Sequence, residues 1–140
     1  MDRVAEHLFV GTIEDAGDAS LLRKHRVDRV VSLTYTGPEA GFPDSVSIAH
    51  YAMMDGPRNE KDVFKEAVEA IVRGLESGKT VLVHCSRGAS RSPAVAAVAV
   101  ALHQGIDIED TFELIRERRD VVDPHDALVE QAVEVYGTLL

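Results

Sequence analysis

Val81-Leu82-Val83-His84-Cys85-Ser86-Arg87-Gly88-Ala89-Ser90-Arg91-Ser92-Pro93 is the stretch on which the fold turns. Val81 to Val83 is a short apolar, β-branched run of the kind that makes a buried strand. It gives way to small residues and then, from Pro93 to Leu102, to a segment apolar on every side. That segment is far shorter than the roughly 20 residues of a bilayer span, so it predicts a buried central helix. A strand that runs through a tight loop into a buried helix belongs to a sheet with helices packed on it.

The same loop carries a candidate site. Successive backbone N–H groups of a small-residue loop can turn inward as an anion-binding nest, and the helix that follows adds its unpaired N–H groups and positive dipole end. Ser86, Gly88, Ala89 and Ser90 permit so close a curl, and with Arg87 they form the candidate phosphate-binding loop. Cys85 falls at its floor, where this field favours the thiolate, a nucleophile aimed in line at a cradled phosphorus. Arg91, six residues further on, returns to the mouth, where its planar fork can grip two phosphoryl oxygens in a way no lysine can. Ser92 is placed to donate a hydrogen bond to the sulfur, and His84 to fix the loop backbone. The bare Cys-x5-Arg spacing is weak, because with 11 arginines in 140 residues a given offset holds one by chance about one time in twelve. Its force comes from the conjunction with His84, Gly88, Ser92 and the strand-loop-helix context.

Working outward, Leu8-Phe9-Val10, Val27 to Leu33 and Val46 to Tyr51 read as three further strands. Val63, Phe64, Ala67, Val68, Ile71 and Leu75 keep one face of a helix apolar, with Asn59 as N-cap, Asp62 at the third helical position and Gly78 as its stop. Asp107 caps a helix carrying Ile108, Phe112 and Ile115. Asp123-Pro124 predicts a cap and a proline at the first position of a last helix bearing Leu128, Ala132, Val135 and Leu139. Arg116, Arg118 and Arg119, near a helix C-terminus, most simply complement its dipole. With no repeat and no long linker, residues 1–140 read as one α/β domain: a single, mostly parallel central sheet of four to five strands with helices on both faces.

Composition narrows the function classes. The formal net charge of −9 argues against nucleic acid or an anionic membrane as partner. One cysteine excludes an internal disulfide, a Cys-rich zinc site or a redox pair, which makes a reducing cytoplasm the expected compartment. No histidine spacing suggests a metal site.

The loop resembles the His-Cys-x-x-Gly-x-x-Arg-Ser signature of the cysteine-dependent protein tyrosine phosphatase superfamily, and the chain is most similar to its small dual-specificity members. Leu8-Phe9-Val10-Gly11 resembles that family's opening strand and Val27 to Thr34 its second. The resemblance implies a two-step hydrolysis through phosphocysteine, with no metal and no cofactor, acting on a phosphorylated protein or a small phosphate ester, in a chain expected to be monomeric. It also implies a general acid on a mobile loop about 30 residues before the cysteine, which matches Asp55 in Met54-Asp55-Gly56-Pro57. The alternatives are a turn-forming aspartate before Gly56, and Asp62 as the acid. Where the family often has proline after an arginine and then a Pro-Asn pair, this chain has Arg119-Asp120 and Pro124-His125. It also lacks the segment that deepens the phosphotyrosine pocket of the larger tyrosine-specific enzymes, so a shallower cleft is expected. Two other chemistries compete for such a loop: phosphate binding without hydrolysis, which needs neither thiol nor acid, and rhodanese-like sulfur transfer, which needs no Asp55. The thiol relays common in arsenate reduction need cysteines this chain lacks.

Overall fold

The run at 81–84 is the central strand of a five-stranded sheet in the computed structural model, which describes residues 1–140. The strands are β1 (Asp2–Ala5), β2 (Leu8–Gly11), β3 (Arg29–Ser32), β4 (Ser47–His50) and β5 (Val81–His84), in the order β1-β2-β5-β3-β4. β5 pairs in parallel with β2 and β3, and β3 in parallel with β4, while β1 joins β2 as the one antiparallel pair. The sheet is thus mostly parallel, as expected, but with β1 added to the four anticipated strands. Register is uniform across the centre: Val10 and Val31 both lie beside Val83, and Gly11 and Ser32 both lie beside His84. The loops after β2 and β3 therefore leave the sheet at the same level as the loop after His84.

Helices cover both faces. On one side lie the short α1 (Ile13–Ala16) and α2 (Ala19–Lys24); on the other lie α3 (Lys61–Glu76), α4 (Arg91–Gln104), α5 (Ile108–Arg118) and α6 (Asp126–Leu139). The period-two alternation of a strand decides which residues face which layer. Leu8, Val10, Val31, Val81 and Val83 join the large core under α3 to α6, whereas Phe9, Val30 and Leu82 join Ala16 and Leu22 in a smaller core on the opposite face. The expected central helix is α4. Every residue from Ser92 to Ala101 is buried, and α4 packs against α3, α5 and α6. Alanine at 94, 96, 97, 99 and 101 leaves space for three neighbours to approach at once. No helix is long and apolar enough to cross a membrane.

Three expected helix features differ. α3 takes Glu60, not Asn59, as its N-cap. Asn59 is buried and otherwise engaged: its Oδ1 accepts from the Met54 N–H at 2.9 Å, and its Nδ2 donates to Gln131 Oε1 at 3.0 Å. α6 begins at Asp126 with His125 as N-cap, rather than at Pro124 after an Asp123 cap. The Asp123 N–H donates to the Ala89 carbonyl and the His125 N–H to Ser90 Oγ, so the chain is pinned to the loop after β5 before it can coil. The third difference lies within the arginine cluster, of which Arg116 and Arg118 sit in the last turn of α5 as expected and Arg119 does not. Arg116 lies over the Phe112 ring and Arg118 donates to the Val4 carbonyl, but Arg119 is buried and turned towards the same loop. Gly78 ends α3 as expected, with φ +75° and its N–H donating to the Leu75 carbonyl.

Candidate active site

Residues 85 to 90 have their carbonyl groups turned outward, each onto a donor of the surrounding structure. The Cys85 carbonyl accepts from His84 Nδ1 at 3.1 Å, and that of Ser86 from the Ile13 N–H at 3.2 Å. The buried Arg119 supplies the next two donors, Nη2 to the Arg87 carbonyl at 3.1 Å and Nε to that of Gly88 at 2.8 Å. The Ala89 carbonyl accepts from the Asp123 N–H at 2.7 Å and the Ser90 carbonyl from Ala94 at 3.2 Å. A peptide unit whose C=O points out points its N–H the opposite way. The six amide N–H groups from Ser86 to Arg91 have no partner within the chain, and together with the start of α4 they form the concave nest expected of such a loop.

Gly88 makes the curl possible. Its φ is +66°, in the left-handed region that L side chains rarely enter, and a Cβ there would lie 2.4 Å from Arg119 Nη2 and 2.6 Å from the Gly11 carbonyl oxygen. The turn thus needs glycine for conformation, and the close approach needs it for space.

Cys85 lies buried at the floor, with Sγ 3.1 Å from Ser92 Oγ. His84 is fully buried beneath it, and its two ring nitrogens have fixed roles. A carbonyl can only accept, so Nδ1 carries the proton given to Cys85 O, which leaves Nε2 to accept from Ser32 Oγ at 2.8 Å. Burial pushes the imidazole below its ordinary pKa of 6.5. The Cys85 carbonyl pulls the other way, but Arg91 and His50 add to the lowering. His84 is therefore a neutral strut under the cysteine.

Arg91 is anchored by the backbone ends of the neighbouring strands. Its Nη1 donates to the carbonyls of Met53 at 3.0 Å and Leu33 at 3.4 Å, and Nη2 to Ser86 Oγ at 3.1 Å. This holds the guanidinium beside the nest. Asp55 reaches the loop from the segment after β4, and Ser90 Oγ donates to its Oδ1 at 2.5 Å. An open cleft of about 510 Å³ is lined by Asp55, by Cys85 to Arg91 without Gly88, and by residues 123–126.

Asp55 and the loop residues from His84 to Ser92 that the sequence singled out gather around this cleft. Arg87 and Ser86 are exposed at the rim, Ala89 and Ser90 are half-buried, and Ser92 and His84 are inside. Asp62 lies on α3 and does not line the cleft. Sequence reasoning missed Arg119, whose contacts are all remote in the chain, and it left the part played by His125 open. The nearest signal for Arg119 was its departure from the family's arginine-proline pattern, which marks the segment without showing where the side chain points.

Residues 8–137 match the family described as Dual specificity phosphatase, catalytic domain. Dual specificity phosphatase 28 of Mus musculus is 30% identical over 127 residues, which cover 88% of this chain and 76% of that protein. Dual specificity protein phosphatase 19 of Mus musculus is 29% identical over 125 residues, covering 89% of this chain but only 56% of that longer protein. The crystal structure of human DUSP28 superposes with a TM-score of 0.87 at 25% identity, covering 99% of this chain and 97% of that one. That of a mouse putative dual specificity phosphatase complexed with zinc tungstate gives 0.88 at 26%, covering 99% and 87%.

Proposed function

The chain belongs to the dual specificity phosphatase catalytic-domain family, and from that premise we propose that it hydrolyses phosphomonoesters through a phosphocysteine formed on Cys85. The observation that carries this is the set of inward amides from Ser86 to Arg91 over a buried sulfur. That arrangement holds three phosphoryl oxygens and leaves the phosphorus facing the nucleophile.

In the first step Cys85 Sγ attacks phosphorus in line while the bond to the ester oxygen breaks, and Asp55 gives that oxygen a proton. Charge growing on the equatorial oxygens meets the loop amides and the Arg91 guanidinium, which are already oriented before reaction. In the second step water attacks phosphorus, Asp55 takes its proton, and sulfur leaves with a hydrogen bond from Ser92 Oγ. His84 and Arg119 touch no reacting atom in this scheme; they hold the carbonyls outward.

The openness of the cleft suits phosphotyrosine and phosphoserine/threonine alike, so the proposed substrates are phosphorylated proteins, with small phosphate esters accepted. We assign the whole of 1–140 to one catalytic domain, working as a cytoplasmic monomer. Phosphate release from para-nitrophenyl phosphate by the purified protein tests the activity. Cys85→Ser is expected to lose turnover by at least about 10³-fold while retaining affinity for inorganic phosphate. Undiminished turnover by Cys85→Ser overturns the mechanism, and no release by the unaltered protein overturns hydrolysis in favour of phosphate binding alone.

A further inference from the structure

The hydroxyl of Ser90 stands between two groups that fix the direction of both its hydrogen bonds. The backbone N–H of His125 can only donate, and it does so to Ser90 Oγ at 2.8 Å. The single proton of the hydroxyl is then free to go to Asp55 Oδ1, at 2.5 Å. The carbonyl-type oxygen of a protonated carboxyl is the better acceptor, so this contact favours Oδ2 as the bearer of Asp55's transferable proton. The Ser90 contact is also the only side-chain hydrogen bond that Asp55 makes; the residue is otherwise exposed, in a bend on the segment between β4 and α3.

We propose that Ser90 is a positioning residue for the general acid: its hydroxyl, polarised by the His125 N–H at the start of α6, clamps Oδ1 of Asp55 and leaves Oδ2 as the oxygen that gives and retakes the proton. The inference rests on Asp55 being the acid, as argued above. The exchange balances simply. The Oδ2–H bond breaks as the leaving oxygen gains its proton and the P–O bond opens, and it reforms when water surrenders a proton in the second step. Ser90 is thereby given two separable tasks, because its amide belongs to the phosphate nest and its side chain does not. One hydroxyl joins the acid loop, the phosphate loop and the start of α6, so placing the acid correctly depends on all three being assembled.

The separation makes the proposal testable. A general acid contributes roughly 10²–10⁴-fold, so a misdirected one should lose a substantial part of that. Ser90→Ala is expected to lower kcat/KM about tenfold on para-nitrophenyl phosphate and about a hundredfold on phenyl phosphate, whose leaving group needs the proton more. Inhibition by inorganic phosphate should stay within about twofold, because the amide remains. Ser90→Thr, which keeps the hydroxyl, should restore the rate. In an Asp55→Asn background Ser90→Ala should cost nothing further, since the two act as one unit. An equal loss on both esters, a matching loss of phosphate affinity, no recovery in Ser90→Thr, or a fully additive loss on top of a slow Asp55→Asn enzyme would each overturn the positioning role alone. An Asp55→Asn enzyme as fast as the unaltered protein would overturn the acid assignment and this proposal with it.

Discussion

Arg119 holds more of the phosphate loop than any other side chain. It is only 7% exposed, donates to two consecutive loop carbonyls and pairs with Asp2 Oδ2 at 2.9 Å through Nη1. Two adjacent carbonyls and a carboxylate at three angles call for a planar fork, which lysine lacks. In Arg119→Met the carbonyls of Arg87 and Gly88 lose their donors at about 1–3 kcal/mol apiece, and the peptide units between them are free to flip an amide out of the nest. The expected result is a protein destabilised by about 2–6 kcal/mol in urea denaturation, with phosphate affinity down at least tenfold; unchanged phosphate affinity would show that the nest holds without this brace. Nothing in Arg116-Glu117-Arg118-Arg119 distinguishes the buried arginine from its exposed neighbours, because what separates them is the direction of each side chain at a helix end. Cys85, Arg91 and Asp55 could be read as candidates because the chemistry proposed for them restricts the residue type. A brace acts through geometry alone.

Among the elements, the strand-loop-helix unit from Val81 to Gln104 carries its own instructions, and the pieces around it do not. β5 and α4 were readable because a short β-branched apolar run and an unbroken stretch of alanine and valine admit few other interpretations. β1 escaped because Asp2-Arg3-Val4-Ala5 has only two buried positions, and α1 and α2 because four and six residues are too few to show a helical period. The start of α6 was misplaced because Asp123-Pro124 is a sound capping signal that tertiary hydrogen bonds override. Within the central unit, the turn at Gly88 should be the most sensitive point. Gly88→Ala must bear a left-handed φ, at about 1–2 kcal/mol, and displace Arg119 and the Gly11 backbone, at about 1–3 kcal/mol. Gly78→Ala faces a similar φ of +75° but nothing within 4 Å, so it bears only the first cost. Thermal melts of the two variants should therefore differ, with Gly88→Ala lower by several degrees and stripped of phosphatase activity, and Gly78→Ala fully active. Equal melting temperatures and equal activity would mean that the loop yields to the methyl group.

For the molecule as a whole, acid stability follows from where the buried charges are and are not. His84 is held neutral at the end of the central strand, with burial placing its pKa below the 6.5 of an exposed imidazole. The unfolded chain gains that proton as pH falls through 6.5, whereas the folded chain gains it only lower down. Between the two values the unfolded state binds more protons, so unfolding free energy decreases as pH falls, by at most about 1.4 kcal/mol per pH unit from this one group. Asp15 acts in a separate, more acidic window. Burial raises its pKa, but the Thr12 N–H and the Met1 amino group outweigh that and hold the carboxyl below 3.8. Its contribution is accordingly present above 3.8 and is lost as pH falls through its folded value. Stability measured by urea denaturation should thus be flat from about pH 8 to 7 and begin to decline below 6.5, well before the carboxylates titrate. His84→Gln, which keeps a neutral hydrogen-bonding side chain, should remove the early decline while costing some stability at neutral pH. If the decline below 6.5 is as steep in His84→Gln as in the unaltered protein, the neutral strut is not its source. Because the same imidazole fixes the Cys85 carbonyl, protonating it also forces a second donor onto Ser32 Oγ, which must turn its own proton away. Loosening of the cysteine floor should therefore set in only at the lower folded-state pKa, after the decline in stability has begun.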